Sequence, residues 1–222
     1  MKKISLFALA VSMSLAMFAQ ENVNRSPMPV KTYFGIKGGV NLAKLRPSDY
    51  AANEPSTNLK TSAHAGFLVR IPLSTNGGFA VQPELLYNRQ GSKMKTTTTV
   101  GTVTTTNTYE QDLGYVSVPV MLQWKSAGGF YLETGPQAGF LIAAQQEGPG
   151  TDSETENKDE MEKFDFSWGA GLGYMSRMGL GLGARYNHGF TNVMEETSTS
   201  GDARLRNSVV QIGLTWLIGA NK

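Results

Sequence analysis

Lys37, Arg70, Glu84, Glu133 and Arg185 are charged residues set in stretches that are otherwise apolar or rich in glycine. Basic and acidic groups in such surroundings can neutralise one another, hand on a proton, or line a polar path for a small solute. A lone charge held away from water is costly, so a paired network is the viable interior arrangement. A second group is a run of acids, Glu147, Asp152, Glu154, Glu156, Asp159, Glu160 and Glu162, offset only by Lys158 and Lys163. The alternating Asp152, Glu154 and Glu156 could offer oxygen ligands to Ca²⁺. Their spacing is not that of a D-x-[DN]-x-[DN]-G loop, and the plainer reading is a solvated acidic loop. Nucleophilic chemistry is thinly provided. The chain has no Cys and two His, His64 and His188; Ser62 stands two residues before His64, but no catalytic motif surrounds the pair. Neither an enzyme nor a metal or cofactor site is expected.

The elements that carry these residues follow from hydropathy. Of 222 residues, 40% are apolar and 17% charged, enough for one domain with a sizeable buried surface. Lys2 and Lys3 precede an apolar run from Ile4 to Ala19 that reads as a secretory signal, residues 1–19, cleaved before Gln20. Without it the remaining 18 basic residues balance the 18 acidic ones, which removes the electrostatic motive for a nucleic-acid partner. No Cys follows the cleavage point to carry a lipid. A polar lead, 20–32, comes next.

From residue 33 the dominant signal is alternation, repeated eight times. Apolar side chains recur every second residue, with Ile36 and Val40 in the first run, Phe67 and Val69 in the second, and Val81 and Leu85 in the third. Val118 and Val120 mark the fourth, Leu132 the fifth, Trp168 and Leu172 the sixth, Leu182 the seventh, Leu214 and Trp216 the eighth. Between them lie small and polar residues, including the five charged ones. Pro83, Pro119 and Pro136 interrupt the runs, and bulges are expected there because each proline removes a ladder donor.

The connections decide the architecture. Those after the second, fourth and sixth runs (STNGG, KSAGG, SRM) are tight, whereas those after the first, third, fifth and seventh are long and polar. Strict alternation of short and long is what a membrane-spanning barrel requires, because its two rims face different compartments. The expected fold is an all-β, eight-stranded antiparallel transmembrane β-barrel over residues 33–219 with a short tail, 220–222. Its apolar residues face lipid and its Gly-rich polar face fills a narrow lumen. A soluble lipocalin-like barrel also has period two, but would turn Phe67, Leu85, Trp168 and Leu214 inward. Aromatic residues at strand ends, among them Tyr33, Phe34, Trp124, Tyr87, Phe140 and Tyr186, suggest two interfacial girdles. The tract KTTTTVGTVTTTNTY, Lys95 to Tyr109, predicts a hairpin turning near Val100 and Gly101 that extends beyond the membrane. Such a ribbon could bind another chain by strand addition, or be a spacer.

The segments YFGIKGGVNLAKL, FAVQPELLYNRQGSK, LGYVSVPVMLQW, FYLETGPQAGFL and LGLGARYNHGFTNV, in this order, resemble the outer-membrane β-barrel family of Gram-negative bacteria that includes porin-family and PorT-like proteins. Small OmpA/OmpX-type barrels are wider relatives. The resemblance implies an outer-membrane location, periplasmic termini, four long external loops, and insertion by the barrel-assembly machinery. The acidic loop would then face lipopolysaccharide, to which divalent ions could bridge it. The family has no common catalytic residues to carry over. The functional expectation is a structural or surface-interaction barrel; the alternatives are a narrow channel or a PorT-like accessory of protein secretion.

Overall fold

The computed structural model describes residues 31–48, 56–74, 77–100, 103–147, 154–156, 162–193 and 204–220. The expected signal at 1–19 and most of the polar lead lie outside them. Ten strands are present: β1 (Tyr33–Ser48), β2 (Ser56–Asn58), β3 (Lys60–Pro72), β4 (Phe79–Val100), β5 (Val103–Lys125), β6 (Phe130–Glu147), β7 (Glu154–Glu156), β8 (Phe164–Met175), β9 (Leu180–Gly189) and β10 (Arg204–Ile218). Eight of them close into an antiparallel barrel in the order β1, β3, β4, β5, β6, β8, β9, β10. The three-residue β2 and β7, not anticipated from alternation, add to β4 and β6 above it. All fifteen residues of β10 pair with β1, from Phe34 opposite Ile218 to Ser48 opposite Arg204, and this seam leaves the wall without an open edge.

The side-chain orientation decides between a membrane wall and a soluble shell. Phe67, Leu85, Trp168 and Leu214 are 68%, 53%, 46% and 65% exposed, and all point outward. Ile36, Val40, Val118, Val120, Leu132, Leu172, Leu182 and Trp216 share that outer face, with Val69 and Val81 partly covered by neighbours. The polar residues are inside. Even the outer face satisfies its few polar atoms locally: the Trp168 Nε1–H donates to Thr134 Oγ1 at 2.9 Å, and that hydroxyl donates to the Gly169 carbonyl at 3.0 Å. Hydrocarbon offers no water to do this.

Three tight turns share one construction. In Ser74–Gly77, Ser126–Gly129 and Ser176–Gly179 the glycine N–H donates to the serine carbonyl, and the glycine sits at φ 65°, 97° and 82°. Each serine hydroxyl also engages the strand that leaves the turn: Ser74 and Ser176 accept from the N–H of Phe79 and Leu180, and Ser126 donates to the Phe130 carbonyl. A left-handed conformation is needed at the fourth position, which is why the fourth residue is Gly.

Two expectations change. The prolines produce no bulges: β4–β5 register is the same on either side of Pro83, and Pro136 stays opposite Trp168 in an unbroken β6–β8 ladder. A missing N–H interrupts pairing beside Pro83 and Pro119 without inserting a residue. The one register shift recorded among the described residues lies between Gly114 and Tyr115 against β6. Tyr33 does not join a girdle either. It turns inward at the short-turn end against Leu68, Tyr131, Met175 and Leu217, a small apolar cluster. A second cluster, formed by Leu45, Leu113, Tyr115, Leu141, Ala144, Val193 and Leu205, fills the opposite end. The lumen is thus capped by hydrocarbon at both ends, with polar layers between.

Candidate functional site: the charged layer in the lumen

Inward-facing positions on β1, β4, β6 and β9 bring Lys37, Glu84, Glu133 and Arg185 to one level. Arg185 is the hub. Its Nη1 and Nη2 donate to the two oxygens of Glu84 at 2.9 and 2.7 Å, and its Nε donates to Glu133 Oε1 at 2.7 Å. This fork geometry is the strong form of an ion pair. Lys37 Nζ lies 3.4 Å from both Glu84 oxygens. The side chains of Glu84, Arg185, Glu133 and Lys37 are 0%, 2%, 4% and 10% exposed, so two positive and two negative charges face one another largely shielded from bulk water. Gln82 donates to Glu84 at 2.8 Å, and Gln123 donates to Glu133 at 3.2 Å. Arg70 stands lower on β3. It reaches the layer through Gln123, whose Oε1 accepts from Arg70 Nε at 3.0 Å, while its Nη2 binds the Gly77 carbonyl of the first tight turn.

A neutral layer sits above. Asn41 Oδ1 accepts from the His64 ring at 2.7 Å and from Gln211 at 3.2 Å; Gln211 also donates to Asn88 Oδ1 at 2.9 Å. Because Asn41 accepts, the His64 proton is on Nδ1, and Nε2 has no hydrogen-bond partner. A void of about 10 Å³ lies beside His64, Lys37 and Arg185, room for roughly one water. Higher again, buried Asp165 accepts from Thr191 at 3.0 Å and Asn207 at 3.1 Å. Packing around Tyr131 closes the lower lumen. Its hydroxyl occupies the space that a Cβ at Gly183 or Gly173 would need, so both neighbours must lack one.

The wall and the filled lumen prompt comparison with known proteins. The family described as outer membrane protein beta-barrel domain matches residues 18–195. The chain belongs to this family. It is therefore an outer-membrane barrel. Similar solved structures include the attachment invasion locus protein Ail of Yersinia pestis, at 12% identity and TM-score 0.43, covering 84% of this chain and 99% of that one. Neisserial surface protein A shows 9% identity and TM-score 0.49, covering 82% and 96%. OprG of Pseudomonas aeruginosa shows 12% identity and TM-score 0.42, covering 83% and 95%. A search of curated proteins finds no match.

The remaining candidates are dispersed over the barrel. His64 is buried on β3, whereas His188 on β9 faces outward at the long-loop rim, where its Nε2 contacts Arg46 Nη2 at 3.1 Å. Ser62 donates to the Arg89 carbonyl at 2.6 Å and has no bond to His64. Of the acidic run, Glu147 ends β6 opposite Glu154, Glu156 lies opposite Gln145, and Glu162 is exposed. Asp152, Asp159 and Glu160 lie outside the described residues, among which no cluster of three potential metal ligands occurs. Sequence reasoning missed an outer ion-pair cluster. Lys60 Nζ lies 2.9 Å from Glu110 and 2.5 Å from Asp112, flanked by Lys93–Glu110 at 3.1 Å and Arg89–Asp112 at 3.2 Å. The single sequence signal for it was alternation continuing past Tyr87 in β4.

Proposed function

We propose that this outer-membrane barrel has a closed lumen and acts as a structural or surface-interaction protein through its external loops. The observation that carries the reading is the interior. A fully paired charge layer lies between two apolar clusters, and the void beside it is water-sized. Solute flow would require breaking the Arg185 fork, and unpairing buried charges is strongly opposed. Outside, Thr96–Val100 and Val103–Asn107 pair only with each other among the described residues, so this hairpin presents two open edges suited to adding a strand from a partner. In this reading residues 1–19 are removed on export. The assembly machinery inserts the chain, and lipopolysaccharide surrounds its outer half.

Planar-bilayer recording on the refolded full barrel tests closure. Silence across the voltage range is expected; stepwise conductance abolished by a blocking side chain at Gly183 would establish the narrow-channel reading instead.

A further inference from the structure

Four basic side chains stand together on the outer face of the seam between β1 and β10. Lys44 and Arg46 continue the outward positions of Val40 and Leu42, and Arg206 and Arg204 continue those of Ile212 and Val210. Arg46 is directly opposite Arg206. Like charges facing each other across a ladder destabilise it, and no carboxylate among the described residues lies within ion-pair distance of any of the four. The Nε atoms of both arginines are shielded from solvent and have no hydrogen-bond partner. Arg46 spends one nitrogen on neutral acceptors, His188 Nε2 at 3.1 Å and the Gly189 carbonyl at 3.4 Å. The site thus has donors and positive charge in excess, and among the described residues it lacks an anionic acceptor.

Its height identifies the acceptor. Two outward positions below Arg206 the wall becomes apolar at Val210, and beside it Tyr186, His188, Phe190 and Phe166 form a continuous aromatic shelf, with ring centroids 6.2, 5.2 and 6.0 Å apart. Aromatic rings of this kind lie at the level of lipid headgroups. We infer that Arg46 and Arg206, supported by Lys44 and Arg204, clamp the phosphate of a phosphorylated outer-leaflet lipid headgroup whose acyl chains run down the wall over Val210 and Ile212. Planar guanidinium forks suit a phosphate, and a bound phosphate turns the facing arginines from mutual repulsion into a shared bridge. The inference relies on the wall facing outer-leaflet lipid and not on whether the lumen conducts, so this test and the conductance test fail separately.

The experiment is thermal unfolding of the full barrel and of Arg206→Gln in uncharged detergent, with and without diphosphoryl lipid A, its dephosphorylated form, or inorganic phosphate. The signs should cross. Without phosphorylated lipid the variant unfolds at a higher temperature than the parent, because the repulsion is relieved. With diphosphoryl lipid A the parent rises above the variant, and its affinity exceeds the variant's by about tenfold, the loss expected for one charge-assisted contact. Equal stabilisation of both proteins overturns the clamp. Equal shifts from the dephosphorylated lipid assign binding to the acyl chains, and equal shifts from inorganic phosphate assign it to a free anion; either result overturns the lipid-phosphate assignment. Arg46→Gln, measured in the same way, guards against a folding defect peculiar to one position.

Discussion

Arg185 holds two carboxylates at once, and among the described residues no other cation forms an ion pair with Glu133. Lys37 is 3.4 Å from Glu84 and makes no hydrogen bond to Glu133. Arg185→Met should therefore leave Glu133 with the Gln123 amide and no cation, and Glu84 with Lys37 and the Gln82 amide, with a loss of about 3–5 kcal/mol, the cost of removing one partner from a buried pair. Urea unfolding in detergent, read by the change in gel mobility between folded and heated barrel, measures it. A loss below about 1 kcal/mol would mean that the carboxylates have found protons or water. At this scale residue types and faces were legible in the sequence, but which side chains meet was not. Lys37, Glu84, Glu133 and Arg185 could all be assigned to the inner side from period two. That Arg185 takes Glu84 with its fork and Glu133 with its Nε depends on register across strands far apart in sequence, which no local pattern encodes.

The three Ser-x-x-Gly turns allow a comparison at the level of elements. Gly77 and Gly179 both have positive φ, yet a Cβ on Gly77 would meet nothing within 4 Å, whereas one on Gly179 would stand 2.5 Å from the Leu217 carbonyl. Gly77→Ala should lose only the conformational term, about 1–2 kcal/mol. Gly179→Ala should lose that and a further ~1–3 kcal/mol of overpacking, and comparison of their unfolding midpoints checks the order. The tight turns were legible because Gly and Ser mark them; their common hydrogen-bonding scheme was not, since it lies in φ angles. The proline bulges were misjudged for a related reason. A proline announces a missing donor, and whether the chain also inserts a residue is decided by the partner strand. The apolar caps escaped notice because Leu68, Met175 and Leu217 looked like lapses in alternation or ends of runs, and their convergence appears only once the sheet is curved shut.

For the molecule as a whole, the arrangement inverts that of a soluble protein: apolar residues cover the outside and hydrogen bonds hold the centre. The barrel and its external ribbon should then separate cleanly in function. Replacing Thr97–Thr106 with Asn-Gly preserves the Thr96–Asn107 pair and supplies a two-residue hairpin turn. The shortened protein should keep the parent's unfolding midpoint while cells displaying it lose adhesion; adhesion equal to the parent's would show that the ribbon is a spacer. The eight-strand plan was legible from the order of short and long connections, a constraint imposed by the membrane itself, whereas the Thr and Val repeat of the ribbon encodes a strand and a turn and no recognition chemistry.

The seam between β1 and β10 has a consequence for how the protein comes into being. One side of β1 is occupied by β3, its neighbour in chain order, but its other side has a single native occupant, β10, which lies at the far end of the barrel's strand order. Until β10 docks, that side of β1 is a row of peptide groups without a strand partner, open to any neighbour that offers a strand of its own. The first strand is therefore among the last to be covered on both sides, and any delay in docking β10 prolongs its exposure.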